Sequence, residues 1–245
     1  MQKKWLVILF SSLLYSTLAL ASSSIQPVIS LSGGIAPLNT QNSDSFENTH
    51  NTFIYTPGSP PIPTIGGAFV GAEIGLPQWA IQTGVAFNYL WPFSVAGIHT
   101  VGNNPAAATA YNYHYKINSQ QVMWETKLLA DWQQHYHPYI VLDLGAGFNR
   151  SYNYSITTGE SNPNTTLNYT DHNNTSFVYG GGFGLDVDVI SHLRVGAGLR
   201  VFDLGPANVG SATWTPTINN PVTVAAPSLT HLYVTEVLVQ VAYLF

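Results

Sequence analysis

Apolar residues recur at every second position along most of the chain, in segments of about ten residues. The last segment is typical, since Val237, Val239, Val241 and Tyr243 lie on one face and lead to Phe245. Successive side chains of a β-strand point to opposite faces, so this period of two predicts a strand with a continuous apolar face. The opposite face carries a carboxylate and an amide.

The chain contains about eight such segments, separated by alternating short and long connections. The predicted strands cover 27–36, 64–76, 80–91 and 114–132, then the regions around 140–149, 177–189 and 193–201, and the C-terminal segment. Short turns fall at 77–79, 133–137 and 191–192, and long polar stretches at about 37–63, 92–113, 150–174 and 203–227. Short periplasmic turns, long extracellular loops and strands of this length are typical of outer-membrane barrels.

The sequence therefore predicts an all-β fold: a closed antiparallel eight-stranded transmembrane β-barrel with four long extracellular loops. A sheet in lipid must close, because an open edge leaves backbone N–H and C=O groups unpaired in hydrocarbon. The alternative is a soluble, lipocalin-like barrel, which would turn its apolar face inward and need charge outside. Here the nearly charge-free face is long and the charged face is narrow and rich in glycine, which favours the membrane barrel.

The N-terminus predicts export. Lys3 and Lys4 precede an apolar run, and Ala19-Leu20-Ala21 forms a small-x-small cleavage site after Ala21. Serine and threonine interrupt the run, so a signal peptide is favoured over a transmembrane helix, which needs about 20 apolar residues. We expect a signal peptide at 1–21 and one barrel domain at 22–245.

Composition changes this interpretation little. Charged residues make up 8% of the chain and aromatic residues 13%, a balance that suits a surface facing lipid. The net charge of −5 argues against a nucleic-acid partner, which would require a basic patch. The chain contains no cysteine and so has no disulfide framework, although export is predicted to place it in an oxidising compartment.

The alternation places a group of charged residues on the inner face. The ion-pair candidates are Glu73, Glu125, Lys127, Asp143, Asp186, Arg200 and Glu236. They could line an ion pathway or form a packed, salt-bridged plug, and the narrow interior of an eight-stranded barrel favours the plug. We expect Lys127 and Arg200 to pair with Glu73, Glu125, Asp143 or Glu236, because buried carboxylates need cationic partners.

No catalytic, metal or cofactor site is predicted. His135 and His137 have a ligand-like spacing but fall in a turn without enough partners. Ser228, His231 and Glu236 fail as a hydrolytic triad, because His231 points away from the other two. A separate set of aromatic residues near strand ends predicts interfacial girdles: Trp79, Trp91, Trp124, Trp132, Tyr89, Tyr139 and Tyr243.

The signal peptide, the short turns, the glycine-rich strands around 180–182 and 195–198, and terminal Phe245 together resemble the small outer-membrane β-barrel family of Gram-negative bacteria. That family includes the transmembrane domain of OmpA, the opacity-type surface proteins and the OmpW-like proteins. The resemblance implies residence in the outer membrane among lipid and lipopolysaccharide. It also implies recognition of the terminal strand, with Tyr243 and Phe245, by the barrel-assembly machinery.

The resemblance implies display of the loops, often for contact with a host or matrix ligand. A structural and surface-interaction role is the leading hypothesis. The alternatives are a narrow pore or route for small hydrophobic molecules and, less favoured, a lipid-modifying enzyme.

Overall fold

The computed structural model describes residues 24–39, 44–48, 51–101, 109–157, 168–214, 222–224 and 229–245. Every regular element in these ranges is a β-strand. No helix among them is long and apolar enough to cross a membrane. The expected signal peptide at 1–21 and its cleavage site after Ala21 lie outside the described residues.

The strands are β1 (Ile25–Ile35), β2 (Asp44–Asn48), β3 (Asn51–Pro57), β4 (Thr64–Gly75), β5 (Trp79–Val101), β6 (Thr109–Ala130), β7 (Tyr136–Thr157), β8 (Asn168–Tyr169), β9 (His172–Ile190), β10 (Leu193–Asp203), β11 (Ala212–Trp214), β12 (Val222–Val224) and β13 (Tyr233–Leu244). In the described part of the chain, eight of them form a closed ring in the order β1, β4, β5, β6, β7, β9, β10, β13. Every neighbouring pair is antiparallel. The predicted eight-stranded closed barrel is confirmed.

The ring closes between the first and last strands, where Val28 pairs with Leu244 and Ile35 with Val237. The short connections β4–β5, β6–β7 and β9–β10 all lie at the same edge of the barrel as Phe245. Short turns mark the periplasmic edge of outer-membrane barrels, so the opposite edge is extracellular.

Several strands extend far into stretches expected to be loops. β5 continues through Pro92 to Val101, and β6 begins at Thr109, so most of the stretch 92–113 is sheet. Proline has no N–H to donate and predicts a strand end, but Pro92 lies where the β5–β6 register shifts between Leu90 and Phe93. β2 and β3 add a hairpin to the extracellular end of β5. We call the extracellular parts of β5, β6 and β7 with this hairpin the extracellular wall.

The two faces of the barrel differ as the alternation predicts. Leu142, Phe183 and Val239 are exposed on the outside, whereas Asp143 and Val28 are buried inside. An outward apolar face is the reverse of a soluble barrel. Among the predicted girdle residues, Trp79, Trp91, Trp132 and Tyr243 are exposed near the two edges of this apolar band. Tyr139 instead points into the interior, where it fills the space beside Gly184 and Gly198.

Candidate functional site

The barrel interior holds a buried set of charged side chains, which we call the inner ion network. Its members are Glu73, Glu125, Lys127, Asp143, Asp186, Asp188, Arg194, Arg200 and Glu236. All occupy inward positions of the two-residue alternation on β4, β6, β7, β9, β10 and β13, and all except the half-buried Asp188 are fully buried. All seven ion-pair candidates lie in this network, together with Asp188 and Arg194, which the alternation also places on the inner face.

Arg200 lies at the centre of this network. Its Nη1 donates to Oε2 of Glu125 at 2.7 Å and lies 3.5 Å from Oδ2 of Asp143. Glu236 is directly opposite Arg200 in the β10–β13 ladder. One guanidinium therefore faces carboxyl groups from three other strands.

Lys127 links the network across the barrel. Its Nζ donates to Oε1 of Gln240 at 2.8 Å and lies 3.7 Å from Oε1 of Glu125. Asp186 is 4.0 Å from the same nitrogen and accepts a hydrogen bond from Nε2 of Gln240 at 2.6 Å. The ammonium also lies over the Tyr139 ring, 4.8 Å from its centroid. Lys127 is thus shared between two carboxylates and an aromatic face.

The third cation, Arg194, lies at the periplasmic end of the network. Its Nη1 donates to Oε2 of Glu73 at 2.7 Å, and its Nε donates to Oδ1 of Asp188 at 2.8 Å. Nε2 of His137 lies 2.8 Å from Oδ2 of Asp188. Glu73 was expected to pair with Lys127 or Arg200, and the structure gives it Arg194 instead. Which cation a carboxylate meets depends on strand tilt and stagger, which alternation does not define.

A segment that the sequence assigns to a long loop lies inside the extracellular part of the barrel. After β10 ends at Asp203, residues 204–211, which we call the mouth strap, leave the barrel wall. Gly205 has φ +72°, and its N–H donates to Oδ1 of Asp203 at 2.9 Å. The strap then exchanges backbone hydrogen bonds between 204–207 and 229–232. A positive φ at glycine allows the turn that carries the strap inward.

Polar side chains from β7 and β9 hold the mouth strap inside, and on β9 Oγ of Ser176 donates to the carbonyl of Leu204 at 2.8 Å. Nδ2 of Asn149 donates to the carbonyl oxygens of Leu204 at 2.7 Å and of Pro206 at 2.9 Å. Oγ of Ser151 donates to the carbonyl of Ala207 at 3.0 Å. Asn149 and Ser151 are inward residues of a strand, so the strap lies against the inner surface of the wall. The carbonyls of Leu204, Pro206 and Ala207 thus accept hydrogen bonds from the barrel wall.

Apolar packing fills the space beneath the mouth strap. Leu204, Ala207 and Val209 of the strap belong to one buried cluster with residues of the surrounding strands. The cluster includes Leu90, Phe93, Ile117, Met123, Val178, Phe202 and Leu238. Among the described residues, the extracellular part of the interior is therefore largely apolar. The periplasmic part holds the ion network beside a smaller apolar cluster that includes Val28, Phe69 and Leu244.

Four tyrosines of this cluster pack together where β8 meets the extracellular wall. Tyr113, Tyr115 and Tyr154 stack with ring centroids 6.1–6.2 Å apart, and Tyr169 meets Tyr154 edge-on at 4.5 Å. Burial raises the pKa of the Tyr115 and Tyr154 hydroxyls, so both remain protonated across the physiological range. The stack stiffens the wall above the membrane.

The residues weighed for catalysis or metal binding do not converge. His135 is exposed, whereas His137 is buried against Asp188. His231 is exposed and contacts Asp203, and Glu236 lies inside the barrel, while Ser228 is outside the described residues. No group of three or more histidine or acidic residues in the described ranges is arranged to hold a metal ion.

Comparison with solved structures identifies the fold. The outer membrane protein OprG of Pseudomonas aeruginosa matches with a TM-score of 0.54 and 11% identity, over 89% of this chain and 95% of OprG. Neisserial surface protein A matches with a TM-score of 0.41 and 13% identity, over 91% of this chain and 99% of that protein. The outer membrane protease OmpT of Escherichia coli matches with a TM-score of 0.49 and 8% identity, over 90% of this chain and 96% of OmpT.

In sequence, no known protein family and no curated protein matches the chain. At these identities the structural similarity shows the fold alone. The closed ring, the outward apolar band and the likeness to OprG together define an outer-membrane β-barrel, as the sequence predicts.

Proposed function

We propose that this chain is an integral outer-membrane barrel of a Gram-negative bacterium with a closed interior, serving as a structural and surface-interaction protein. The observation that carries the proposal is the filled lumen. The inner ion network occupies the periplasmic part of the interior. The mouth strap and its apolar cluster occupy the extracellular part. A filled lumen leaves the outer surface and the extracellular wall as the parts that can meet other molecules.

The extracellular wall supports the surface role. β5 continues for ten residues beyond Trp91, about 30 Å at the usual rise per residue. Outward positions of the β6 extension carry Asn112, His114 and Lys116, all exposed. A stiff, polar sheet held above the membrane suits contact with a host or matrix molecule, because little ordering entropy is lost on binding.

Two partners follow from the rest of the surface. The apolar band meets outer-membrane lipid and lipopolysaccharide. At the periplasmic edge Phe245 is exposed and packs edge-on against Tyr243, with centroids 4.9 Å apart. This exposed aromatic end of β13 is the surface that we propose the barrel-assembly machinery recognises.

A second candidate function is a route for small hydrophobic molecules. The apolar lining of the extracellular half favours it, since displacement of the mouth strap would expose Phe93, Phe202 and Leu204 rather than charged groups. An enzymatic role has less support. Oγ of Ser155 lies 2.8 Å from Nε2 of His114, but no described acid contacts that histidine to complete a triad.

Conductance across a planar lipid bilayer separates the closed barrel from a pore. The refolded barrel should give no stable unitary currents, because the ion network and strap block a continuous water path. Neutralising Arg200 or Glu73 should leave the bilayer silent or produce only irregular leaks. Stable unitary currents in the wild type that change size in Arg200→Gln or Glu73→Gln would contradict the proposal.

Adhesion of cells that display the barrel tests the surface role. Attachment to epithelial monolayers and to immobilised fibronectin or laminin should fall when Asn112, His114 and Lys116 are replaced by alanine. The matched control replaces Gln133 and Gln134, exposed on the periplasmic turn, and should adhere like the wild type. Equal attachment by cells lacking the barrel would contradict a role in adhesion.

A further inference from the structure

The centre of the inner ion network contains more acids than bases. Its carboxyl groups are Glu125, Asp143, Asp186 and Glu236, and its cations are Lys127 and Arg200. If all four acids were ionised, two negative charges would lack a counter-charge inside the barrel. The other cation, Arg194, is occupied by Glu73 and Asp188 at the periplasmic end.

Two of the four acids also lack hydrogen-bond partners. Asp143 is 0% exposed and Glu236 is 1% exposed, and none of their four carboxyl oxygens accepts a hydrogen bond from a described residue. Glu125 and Asp186, by contrast, accept bonds from Arg200 and Gln240. Asp143 keeps one ionic contact, 3.5 Å from Nη1 of Arg200, but that nitrogen already donates to Glu125 at 2.7 Å. The two acids without a hydrogen bond are therefore the ones that the two cations compensate least.

Burial of an ionised carboxylate without partners is costly, and such a group takes up a proton instead. The surroundings offer no further positive charge. Around Asp143 and Glu236 stand Glu125 and Lys127 from β6 and Arg200 from β10. Asp186 of β9 and Tyr139 of β7 both lie against Lys127. β1 carries no titratable residue, and Glu73 of β4 is paired with Arg194.

We propose that Asp143 and Glu236 form a buried proton-binding pair, in which each carboxyl group holds a proton in the folded barrel at neutral pH. Two ionised carboxylates, Glu125 and Asp186, then balance Lys127 and Arg200. The described acids do not converge in a metal-ligand arrangement, which favours protons over a bound metal ion. The inference concerns the interior and does not depend on what the extracellular wall contacts.

Infrared spectroscopy of the refolded barrel in D2O vesicles tests this directly. Protonated carboxyl groups absorb above the amide I band, and solvent-exposed acids are ionised at neutral pH. We expect a band in the wild type that loses about half of its intensity in Asp143→Asn or Glu236→Gln and disappears in the double variant. Glu73→Gln, which changes a well-partnered acid, should leave the band unchanged.

Stability against pH gives an independent readout. A group that holds its proton more tightly when folded contributes stability below its unfolded titration range, and this stability is lost as pH rises through its folded range. Wild-type resistance to urea should therefore be greatest at acidic pH and fall as pH rises to and past neutral. The double variant should lose less, because its amides cannot ionise.

Three outcomes would overturn the proposal. One is a wild-type spectrum without the band at neutral pH. Another is a band that survives in the double variant. The third is failure of both amide variants to fold while Glu73→Gln folds, since a neutral isostere should replace a neutral acid. Wild-type stability that requires sodium or potassium ions, without the band, would assign the site to a metal cation instead.

Discussion

Arg200 is the residue on which the barrel interior depends most. It is buried, and its guanidinium faces acids from β6, β7 and β13 at once. Buried ion pairs add little net stability compared with apolar packing, but removal of one partner leaves an uncompensated charge. The main role of the arginine is therefore to fix β6, β7 and β13 in one arrangement around it, and its individual contacts add little stability.

Replacement of Arg200 by methionine should lower the free energy of unfolding by about 3–5 kcal/mol, because Glu125 loses its main partner. Urea unfolding of the refolded barrel in lipid vesicles measures this change. The control is Arg150→Gln, which removes an ion pair with Asp171 whose side chains are 56% and 52% exposed. Exposed pairs contribute little, so the control should change stability by less than about 1 kcal/mol. Equal effects would contradict a central role for Arg200.

At the scale of the elements, alternation predicts which side chains point inward but not how far each strand continues. The inward positions of Glu73, Asp143, Asp186 and Glu236 follow from parity alone, because a barrel in lipid leaves only one polar face. The extension of β5 past Pro92 does not follow, since a register shift there removes the need for an N–H.

The mouth strap could not be predicted for a different reason. Residues 204–211 show no period of two, and their structure is set by side chains more than fifty positions away, Asn149 and Ser151. A sequence pattern reports local periodicity, whereas these are long-range hydrogen bonds. Asp203 followed by Gly205 was the available signal, since an acid that accepts an N–H two residues later is typical of a tight turn.

Gly205→Ala should destabilise the mouth strap. Its φ of +72° is costly for a residue with Cβ, by about 1–3 kcal/mol, and the added carbon would clash with the Ser176 side chain. Limited proteolysis should cut the variant faster within the strap, and urea unfolding should show reduced stability. In the control Gly33→Ala, the nearest atom to the new carbon is 3.8 Å away, so both measurements should stay near wild type. Unchanged proteolysis of Gly205→Ala would show that the strap tolerates the strain.

At the scale of the whole molecule, the aromatic residues of β5 define where lipid ends. Trp79 and Trp91 are separated by roughly 40 Å of strand, which the usual tilt reduces to about 30 Å, the thickness of the hydrocarbon core. The part of β5 beyond Trp91 stands in water. The same strand thus passes through two solvents.

An arginine scan along the outside of the barrel checks this placement. Leu142 is 66% exposed in the middle of the apolar band. Its replacement by arginine should lower the free energy of unfolding by about 2–4 kcal/mol, because the charge enters hydrocarbon. Ile98 is 46% exposed on the extension of β5. The same replacement there should lower the free energy of unfolding by less than about 0.5 kcal/mol. Urea unfolding in vesicles measures both. A large cost at Ile98 would place the membrane higher on the barrel.

The seam between β1 and β13 has a consequence for how the chain reaches its native state. It joins segments roughly two hundred residues apart, and the entropy of closing such a loop is lost before the seam contributes any stability. Until then β1 and β13 each expose one edge with unpaired backbone N–H and C=O groups and an apolar face. Such edges pair with other chains and promote aggregation. We therefore expect the barrel to fold efficiently only where both edges are kept away from other chains until they meet.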